Sequence, residues 1–417
     1  MPVNFLGALL AEGTSVIPNY DVLKIAIPAV VGVGTLKYYF SGARNTWERK
    51  LHGKVILITG GTSGMGAAVA SDLAQRGAQL VLLVREMTPW VIEYIEDLRE
   101  SSKNALIYAE ACDLQSMYSV RKFATKWLDN QPPRRLDMVV CCAGLALPPG
   151  HVRDATPLEG VEPQYAVNYL AHYHLLTLLT PALKIQPPDR DVRIVLTTCV
   201  ASVMGDFDMS DVQFNKRPYP SMRPWRVFGA AKLQLALFGY ELQRRINAYE
   251  RKDNNQSPNL RVIIVDPGLM RTPSFQRFAS LGSLWGLLLY LILWPIWWLL
   301  LKAPISGAQS TLHATMSPEF EEKKEVYYVS ECTVRPPPSL PIFKDVEAQK
   351  KLFDVTEEII KEAEQRGAVA RKRAEVEKKV DEVRRQQKER KEKEEKEKSE
   401  NKDDEKKEEK KEDEKKD

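Results

Sequence analysis

The sequence predicts an α/β fold, a doubly wound parallel sheet, with a hydrophobic segment before it and a charged tail after it. Two observations lead to this prediction. Short apolar runs of strand length alternate with helical patterns, which is typical of a parallel sheet covered by helices on both faces. A glycine-rich turn also separates the first of these runs from the helix that follows. Both features begin near residue 54, so the first 50 residues lie outside the sheet domain.

Seven apolar runs account for the predicted strands. Most are continuous aliphatic runs, as expected for strands that are buried on both faces. The runs are residues 54–59, 79–84, 105–110, 136–141, 193–198, 261–266 and 325–329. Helical patterns lie between and after them, among them residues 65–76, 306–316 and 346–360. The sheet domain is therefore predicted to span residues 51–360.

The composition restricts the classes of function. The chain of 417 residues is 44% hydrophobic, so a sizeable core can form, and its net charge is only +4. No basic cluster of the kind that binds nucleic acid is present. The five cysteines are odd in number and form no CxxC pair, which argues against a disulfide framework. No cysteine or histidine spacing suggests a metal site.

The first 50 residues form a hydrophobic segment. Residues 1–13 superficially resemble a signal peptide, but they lack a basic start and carry Glu12 near the expected cleavage region. Residues 22–40 span about 28 Å as a helix, enough to cross a bilayer if Lys24 and Lys37 reach the interfaces. The alternative is a helix that is buried or lies on the surface. Basic residues that follow would keep the next part of the chain in the cytosol. They are Arg44, Arg49, Lys50 and Lys54.

A second hydrophobic segment, residues 278–301, has 24 positions without a charge. It is long enough to span a membrane, but a crossing would separate the following helix and strand from the rest of their sheet. We therefore expect it to insert into one leaflet or re-enter, breaking at Pro295, or to form an apolar lid. A true span is the third interpretation. Four tryptophans suit a membrane interface. They are Trp285, Trp294, Trp297 and Trp298.

A charged tail follows a proline-rich connector and occupies residues 361–417. In the tail 43 of 57 residues are charged, 22 of them basic and 21 acidic, so few apolar residues remain to pack. We expect either a solvated helix held by pairs four residues apart or a disordered segment. Such a tail keeps the protein soluble or serves as a weak docking arm.

The glycine-rich turn carries the first chemical signal. It has the spacing TGxxxGxG and includes Thr59, Gly60, Thr62, Ser63, Gly64, Met65 and Gly66. Glycines permit a tight turn and the close approach of a pyrophosphate, and the helix that follows directs N–H groups towards it. Because the turn lies between a strand and a helix, it predicts a dinucleotide site. A purely structural turn is the alternative.

This spacing resembles the short-chain dehydrogenase/reductase family, which has a Rossmann-type fold. The resemblance covers about residues 54–360, and motifs at 306–309 and 351–353 are similar to the retinol-dehydrogenase-like branch. It implies that Arg85 meets the 2′-phosphate of NADP, so NADP(H) is favoured over NAD(H). The alternative for Arg85 is a solvated surface residue. The resemblance also implies cofactor contacts at Asp113, Leu114, Ala143, Gly144, Lys232, Pro267, Gly268 and Thr272.

The catalytic positions depart from the family's pattern. The family uses a Ser, a Tyr and a Lys, with an Asn that supports the Lys. Lys232 and Asn168 match that pattern in this chain. Phe228 stands at the Tyr position and has no hydroxyl to transfer a proton. Cys199 stands at the Ser position, and its thiol is only a weak hydrogen-bond donor.

Other residues bear on the same site. Thr198 or Ser202 would take the Ser role if the local register differs, and Tyr219 is a hypothetical substitute for the missing phenol. The family's NNAG motif is replaced by Cys141 and Cys142 before Ala143 and Gly144, which removes two amide side chains.

The resemblance implies one function, and the departures suggest another. The first is a membrane-associated NADP(H)-dependent oxidoreductase of weak or atypical activity. Its substrate would be a lipophilic alcohol, ketone or aldehyde, with retinoid, steroid and fatty-chain compounds as examples. The alternative is a catalytically degenerate pseudoenzyme that holds the nucleotide as a scaffold at a membrane. The resemblance further implies a cytosol-facing domain at the endoplasmic reticulum or a lipid droplet, and a homodimer.

Overall fold

The computed structural model describes residues 20–154, 156, 159–187, 189–251 and 257–413. The prediction that residues 1–13 are not a signal peptide lies outside the described residues. So does the last part of the charged tail, residues 414–417.

One eight-stranded sheet forms the centre of the domain, in the order β3-β2-β1-β4-β5-β6-β7-β8. Strands β1 to β7 are parallel, and β8 runs antiparallel to β7. The predicted sheet is confirmed, and all seven predicted strands lie within two residues of observed ones. The strands are β1 Val55–Thr59, β2 Gln79–Val84, β3 Ile107–Ala111, β4 Met138–Cys141, β5 Val192–Thr197, β6 Leu260–Asp266, β7 Tyr327–Ser330 and β8 Thr333–Val334.

Helices cover both faces of this sheet. Helices α2, α3 and α10 pack on one face, and α4, α5, α6 and the start of α11 pack on the other. The longer helices are α1 Tyr20–Ser41, α2 Gly64–Gln75, α3 Pro89–Ser102, α4 Met117–Leu128, α5 Ala171–Lys184, α6 Pro224–Asn247, α7 Pro273–Ala279, α8 Leu284–Ile292, α9 Trp294–Leu300, α10 Pro304–Met316 and α11 Val346–Asp413.

The two larger apolar clusters, one on each face of the sheet, form most of the core. In β1, Val55 and Leu57 belong to one cluster, whereas Ile56 and Ile58 belong to the other. Successive side chains of a strand point to opposite faces, and every residue of β1 is buried. This double burial explains why the central strands consist of continuous apolar runs rather than alternating ones.

The second hydrophobic segment forms three short helices, α7, α8 and α9. The chain bends by 110° between α7 and α8. The two helices are long and apolar enough to span a membrane only when they are taken together as one bent pair. Leu281 and Gly282 lie between them with positive φ angles of 52° and 62°. Helix α8 ends at Ile292, and Pro295 lies in the first turn of α9, so the chain breaks beside this proline as the sequence predicts.

Helix α1 lies beside α9. Its residues Val22–Ser41 form the one single helix in the described part of the chain that is long and apolar enough to cross a membrane, and none of it is buried. The ammonium group of Lys37 donates to the carbonyl oxygens of Trp298, at 2.5 Å, and Leu301, at 3.1 Å. We call the exposed apolar side chains of α1, α8 and α9 the apolar surface. It includes Ile25, Ile27, Val30, Val31, Leu284, Trp285, Leu288, Leu289 and Ile292.

Helix α11 continues from the domain into the charged tail. Leu352 and Phe353 are buried in the core. Farther along, Glu364 accepts from Arg121 at 2.8 Å, and the Arg371 guanidinium lies 3.8 Å from the Tyr118 ring centroid. Packing on the domain thus continues into the first turns of the tail. The described part of the tail is helical.

Candidate functional site

A cavity of about 320 Å³ lies at the carboxyl ends of the parallel strands. The strand order reverses between β1 and β4, the place where sheets of this kind bind ligands. Most of the predicted site residues line this cavity. They are Gly60, Thr62, Ser63, Gly64, Met65, Gly66, Arg85, Asp113, Leu114, Ala143, Gly144, Cys199, Phe228, Lys232, Pro267, Gly268 and Thr272. Thr59 and Asn168 are not part of the lining.

Three positions of the glycine turn require glycine. Gly60 and Gly64 have positive φ angles of 67° and 55°, a region that other residues adopt at a cost. A Cβ atom on Gly60 would lie 2.8 Å from the Cα atom of Ala143, and one on Gly66 would overlap the carbonyl group of Gly60. Ser63 then precedes α2, whose first residues line the cavity. The first N–H groups of a helix have no partner within it, so space and donors coincide where a phosphate would lie.

Arg85 lies at the rim of the cavity just after β2. Its side chain is 64% exposed, and its Nε lies 3.9 Å from a carboxylate oxygen of Asp113. An ion pair this long and exposed holds the guanidinium only weakly. Arg85 is therefore free to turn towards a phosphate group.

Lys232 is the buried cation of the cavity wall. Its ammonium group donates to the carbonyl oxygen of Thr197 at 3.0 Å and lies 5.9 Å from the ring centroid of Phe228. Burial lowers the pKa of Lys232 from its usual value. Helix α6 carries both Phe228 and Lys232 four residues apart, so they lie on the same side of the helix.

Cys112, Cys142 and Cys199 all line the same cavity. Burial raises the pKa of Cys199 to about 11 and that of Cys142 to about 11. Both groups are therefore protonated thiols at neutral pH, and neither acts as a thiolate nucleophile. Cys141 lies in β4 and is not part of the lining. The position predicted for the serine role, Cys199, thus presents sulfur to the cavity.

The alternative residues for the serine and tyrosine roles are less well placed to contact a substrate in the cavity than Cys199 and Phe228 are. Thr198 lines the cavity, but its hydroxyl donates to the carbonyl oxygen of Lys232 at 3.4 Å. Ser202 is buried and is not part of the lining. The hydroxyl of Tyr219 donates to Glu162 at 3.0 Å, and Tyr219 is also outside the lining. Tyr219 therefore lies outside the cavity wall in this structure, and its role as a substitute for the missing phenol stays a prediction.

Asn168 lies behind the cavity wall in a π-helical turn, Ala166–Leu170. Its amide group accepts from the N–H of Leu145 and donates to the carbonyl oxygen of Leu145, both at 2.8 Å. A Cβ atom on Gly144 would lie 3.2 Å from Asn168 Oδ1 and 3.8 Å from Lys232 Nζ. Asn168 thus fixes the backbone that passes in front of Lys232. Turns of this kind are frequent at functional sites.

Residues 54–211 match the short chain dehydrogenase family. An uncharacterized oxidoreductase of Schizosaccharomyces pombe is 49% identical over 75% of this chain and 82% of its own length. The chain belongs to the short-chain dehydrogenase/reductase family. Retinol dehydrogenase 13 of Homo sapiens is 29% identical over 73% of this chain and 84% of its own. This likeness supports the retinol-dehydrogenase-like branch.

A solved structure shows the same fold. The crystal structure of an uncharacterized protein from Mycobacterium paratuberculosis superposes with a TM-score of 0.53 and 23% identity. It covers 77% of this chain and 97% of that one. The short-chain dehydrogenase/reductase fold implies an NAD(P) cofactor. The glycine turn lines the cavity where α2 begins, and this arrangement fits the pyrophosphate of that cofactor.

A buried histidine of this chain, His172, also lies near the glycine turn. From the sequence, the histidines were considered only as candidate metal ligands. The Nε2 atom of His172 lies 3.0 Å from the hydroxyl of Thr59, which accepts from the N–H of Ala143 at 3.1 Å. This chain of contacts joins α5 to the ends of β1 and β4. Burial and then the nearby Lys232 lower the pKa of His172 to about 3. His172 therefore supports the glycine turn as a neutral ring.

Acidification is expected to destabilise the protein through His172. The unfolded chain binds a proton near pH 6.5, whereas folded His172 stays neutral down to about pH 3. The unfolded state therefore holds one extra proton in this window, and stability falls by about 1.4 kcal/mol per pH unit as the pH decreases. Urea unfolding at pH 7 and pH 5 measures this loss. The His172→Gln variant should have a shallower pH dependence by one proton, and equal slopes would contradict the assignment.

Proposed function

We propose that this protein is a membrane-associated, NADP(H)-dependent oxidoreductase that slowly interconverts a lipophilic alcohol and its aldehyde or ketone. One observation carries the proposal: Lys232 lies in the wall of the same cavity as the glycine turn. A cradle for the pyrophosphate and a cation for the reacting end of the cofactor are therefore present together. Neither Phe228 nor Cys199 removes these two features.

Arg85 supports the preference for NADP(H). A guanidinium forms strong paired hydrogen bonds with a phosphate, whereas a carboxylate at this position would favour the ribose hydroxyls of NAD. The last residue of β2 is Val84, which carries no charge, and Arg85 follows it at the cavity rim. This arrangement favours the phosphorylated cofactor.

Proton supply is the weak step of the proposed reaction. NADPH would supply the hydride when bound, and the substrate oxygen would also need a proton. Phe228 has no proton to give, and the Cys199 thiol is a weak donor with a raised pKa. The ammonium group of Lys232 is the better acid, because burial lowers its pKa. We infer that a water molecule held by Lys232 passes the proton, which makes turnover slow rather than absent.

The mouth of the cavity supports a lipophilic substrate. Thr272 and Pro273, at the start of α7, line the cavity. One turn later, the ring of Phe275 lies 5.6 Å from Trp297 of α9. The cavity rim is thus continuous with helices that expose apolar side chains. Retinol dehydrogenase 13, a relative of this chain, is named for a lipophilic alcohol.

Membrane attachment through the apolar surface is part of the proposal. Helix α1 has the length of a bilayer crossing, and α8 and α9 expose leucines and tryptophans beside it. The basic residues after α1, such as Arg44 and Lys50, favour a cytosolic position for the sheet domain. The endoplasmic reticulum, a lipid droplet and a homodimer follow from analogy with the family alone.

A second function is favoured by the same two substitutions. With Phe228 and Cys199 at the catalytic positions, the cavity can bind a nucleotide without turning over a substrate. The protein would then be a membrane-bound scaffold whose state depends on the nucleotide. Both functions include nucleotide binding, and only the first includes hydride transfer.

Titration of the purified protein with NADPH, and with NADH as a comparison, tests the proposed site. We expect a micromolar dissociation constant for NADPH, equivalent to about −8 kcal/mol, and weaker binding of NADH. The Arg85→Ala variant should lose roughly a factor of ten or more for NADPH, the value of a charge-assisted hydrogen bond. Its affinity for NADH should stay unchanged. Failure of both nucleotides to bind wild-type protein would overturn the oxidoreductase proposal.

A further inference from the structure

Lys302 connects the chain after α9 to the loop after β6. We call residues 267–272 the nicotinamide loop, because the family resemblance assigns them to that end of the cofactor. The N–H of Lys302 donates to the carbonyl oxygen of Leu269 at 3.0 Å, and its own carbonyl oxygen accepts from Arg271 at 3.0 Å. The Lys302 side chain is buried, and its ammonium group donates to the carbonyl oxygen of Pro267 at 3.4 Å. Both backbone and side chain of Lys302 thus hold this loop.

Glu331 connects the same ammonium group to α1. One of its carboxylate oxygens pairs with Lys302, and the other accepts from the N–H of Ala43 at 2.9 Å. Ala43 lies two residues after the end of α1. The Lys302–Glu331 pair therefore lies between the end of the proposed membrane helix and the nicotinamide loop.

Two glycines make room for this pair. Gly42 and Gly268 both have positive φ angles, of 73° and 78°. A Cβ atom on Gly42 would lie 2.6 Å from Lys302 Nζ, and one on Gly268 would lie 3.2 Å from the same atom. A side chain at Gly42 would displace the pair although Gly42 is not part of the cavity lining. Lys302 is buried and Glu331 is partly exposed, so displacement of Glu331 leaves a buried ammonium group without its charged partner, which is costly.

We propose that Lys302 and Glu331 are positioning residues that fix the nicotinamide loop to the end of α1. Seating of α1 in a bilayer then sets the geometry of the cavity at its nicotinamide end. The inference rests on the proposed function for the identity of the ligand, and it concerns residues outside the catalytic positions. The glycine turn and Arg85, at the other end of the cavity, make none of these contacts.

The Gly42→Ala variant tests this inference, and Gly53→Ala is its matched control. Gly53 has a similar φ angle of 75°, but a Cβ atom on it would meet nothing within 4 Å. Both variants therefore carry the same backbone strain, and only the first displaces the pair. The full-length protein is used in vesicles of phosphatidylcholine with a minor fraction of phosphatidylserine.

Two readouts are compared. NADPH contacts both ends of the cavity, whereas adenosine 2′-monophosphate lacks the nicotinamide. We expect Gly42→Ala to weaken NADPH binding by roughly a factor of ten, as for a lost charge-assisted contact, and to leave the fragment unaffected. Glu331→Gln should have the same selective effect. Hydrogen exchange of the nicotinamide loop should also become faster in both variants but not in Gly53→Ala.

The outcomes separate the inference from the proposed function. Equal losses for NADPH and the fragment, or no loss in either variant, would overturn the positioning role. If the wild-type protein binds neither nucleotide, the proposed function fails, and hydrogen exchange alone decides the inference. Unchanged exchange in Gly42→Ala and Glu331→Gln would then contradict it, and faster exchange would support it.

Discussion

The Phe228→Tyr variant is expected to turn over faster than the wild-type protein by about 10²–10⁴-fold, the usual contribution of a general acid. The new phenol would extend from a ring whose centroid lies 5.9 Å from the ammonium group of Lys232. A nearby positive charge lowers the pKa of a phenol and favours proton transfer. The rate of NADPH oxidation with a lipophilic aldehyde measures the gain.

Lys232 provides the control for this gain. In a Phe228→Tyr protein that also carries Lys232→Met, the phenol has no cation beside it, and the increase should be largely lost. Adding Cys199→Ser to Phe228→Tyr should increase the rate further, because a hydroxyl is a better donor than a thiol. No gain from Phe228→Tyr, in a protein that still binds NADPH, would count against a merely slow enzyme and favour the scaffold.

Charges in the middle of α1 are expected to release the protein from membranes. Val30 and Val31 are 71% and 60% exposed near the centre of the helix. Two aspartates there would cost about 5–7 kcal/mol on insertion scales, more than a thousandfold in partition. We therefore expect the Val30→Asp, Val31→Asp protein to remain in the soluble fraction when vesicles are floated on a density gradient.

Val376 and Val380 of α11 provide the matched control. They are exposed valines on a highly charged helix, and the structure gives no reason for them to enter a bilayer. The Val376→Asp, Val380→Asp protein should float like the wild type. If the α1 variant also floats fully, α1 is not the anchor, and α8 and α9 suffice for attachment.

The sheet and the glycine turn could be predicted because their signals are local. A strand such as β1 is apolar along its whole length, and the spacing of Gly60, Gly64 and Gly66 is set by one turn. Strand β8 was missed because it has only two residues, Thr333–Val334, paired to β7 through a tight turn. That turn has positive φ angles at Glu331 and Cys332. Neither residue is a glycine, so the sequence does not indicate the turn.

The support around the site could not be predicted in the same way. The Thr59–His172 contact joins residues 113 positions apart, and the Lys302–Glu331 pair joins residues 29 positions apart. Such pairs depend on the assembled sheet and leave no spacing pattern. Hydropathy also predicts that residues 278–301 are apolar, but it does not predict the direction in which the chain runs through them. The reversal at Leu281 and Gly282 depends on backbone angles that hydropathy does not record.

Transfer of deuterium is the most direct test of the central claim, that this cavity performs hydride chemistry on a lipophilic carbonyl. The wild-type protein in vesicles would be given NADPH labelled with deuterium at the reactive nicotinamide carbon, together with retinal, a long-chain aldehyde or a steroid ketone. Mass spectrometry of the extracted lipids then detects the labelled alcohol. We expect slow, protein-dependent labelling of at least one of the three products, with more label from the Phe228→Tyr variant. Absence of label from both proteins, with NADPH bound, would contradict the oxidoreductase account and leave a nucleotide-binding scaffold.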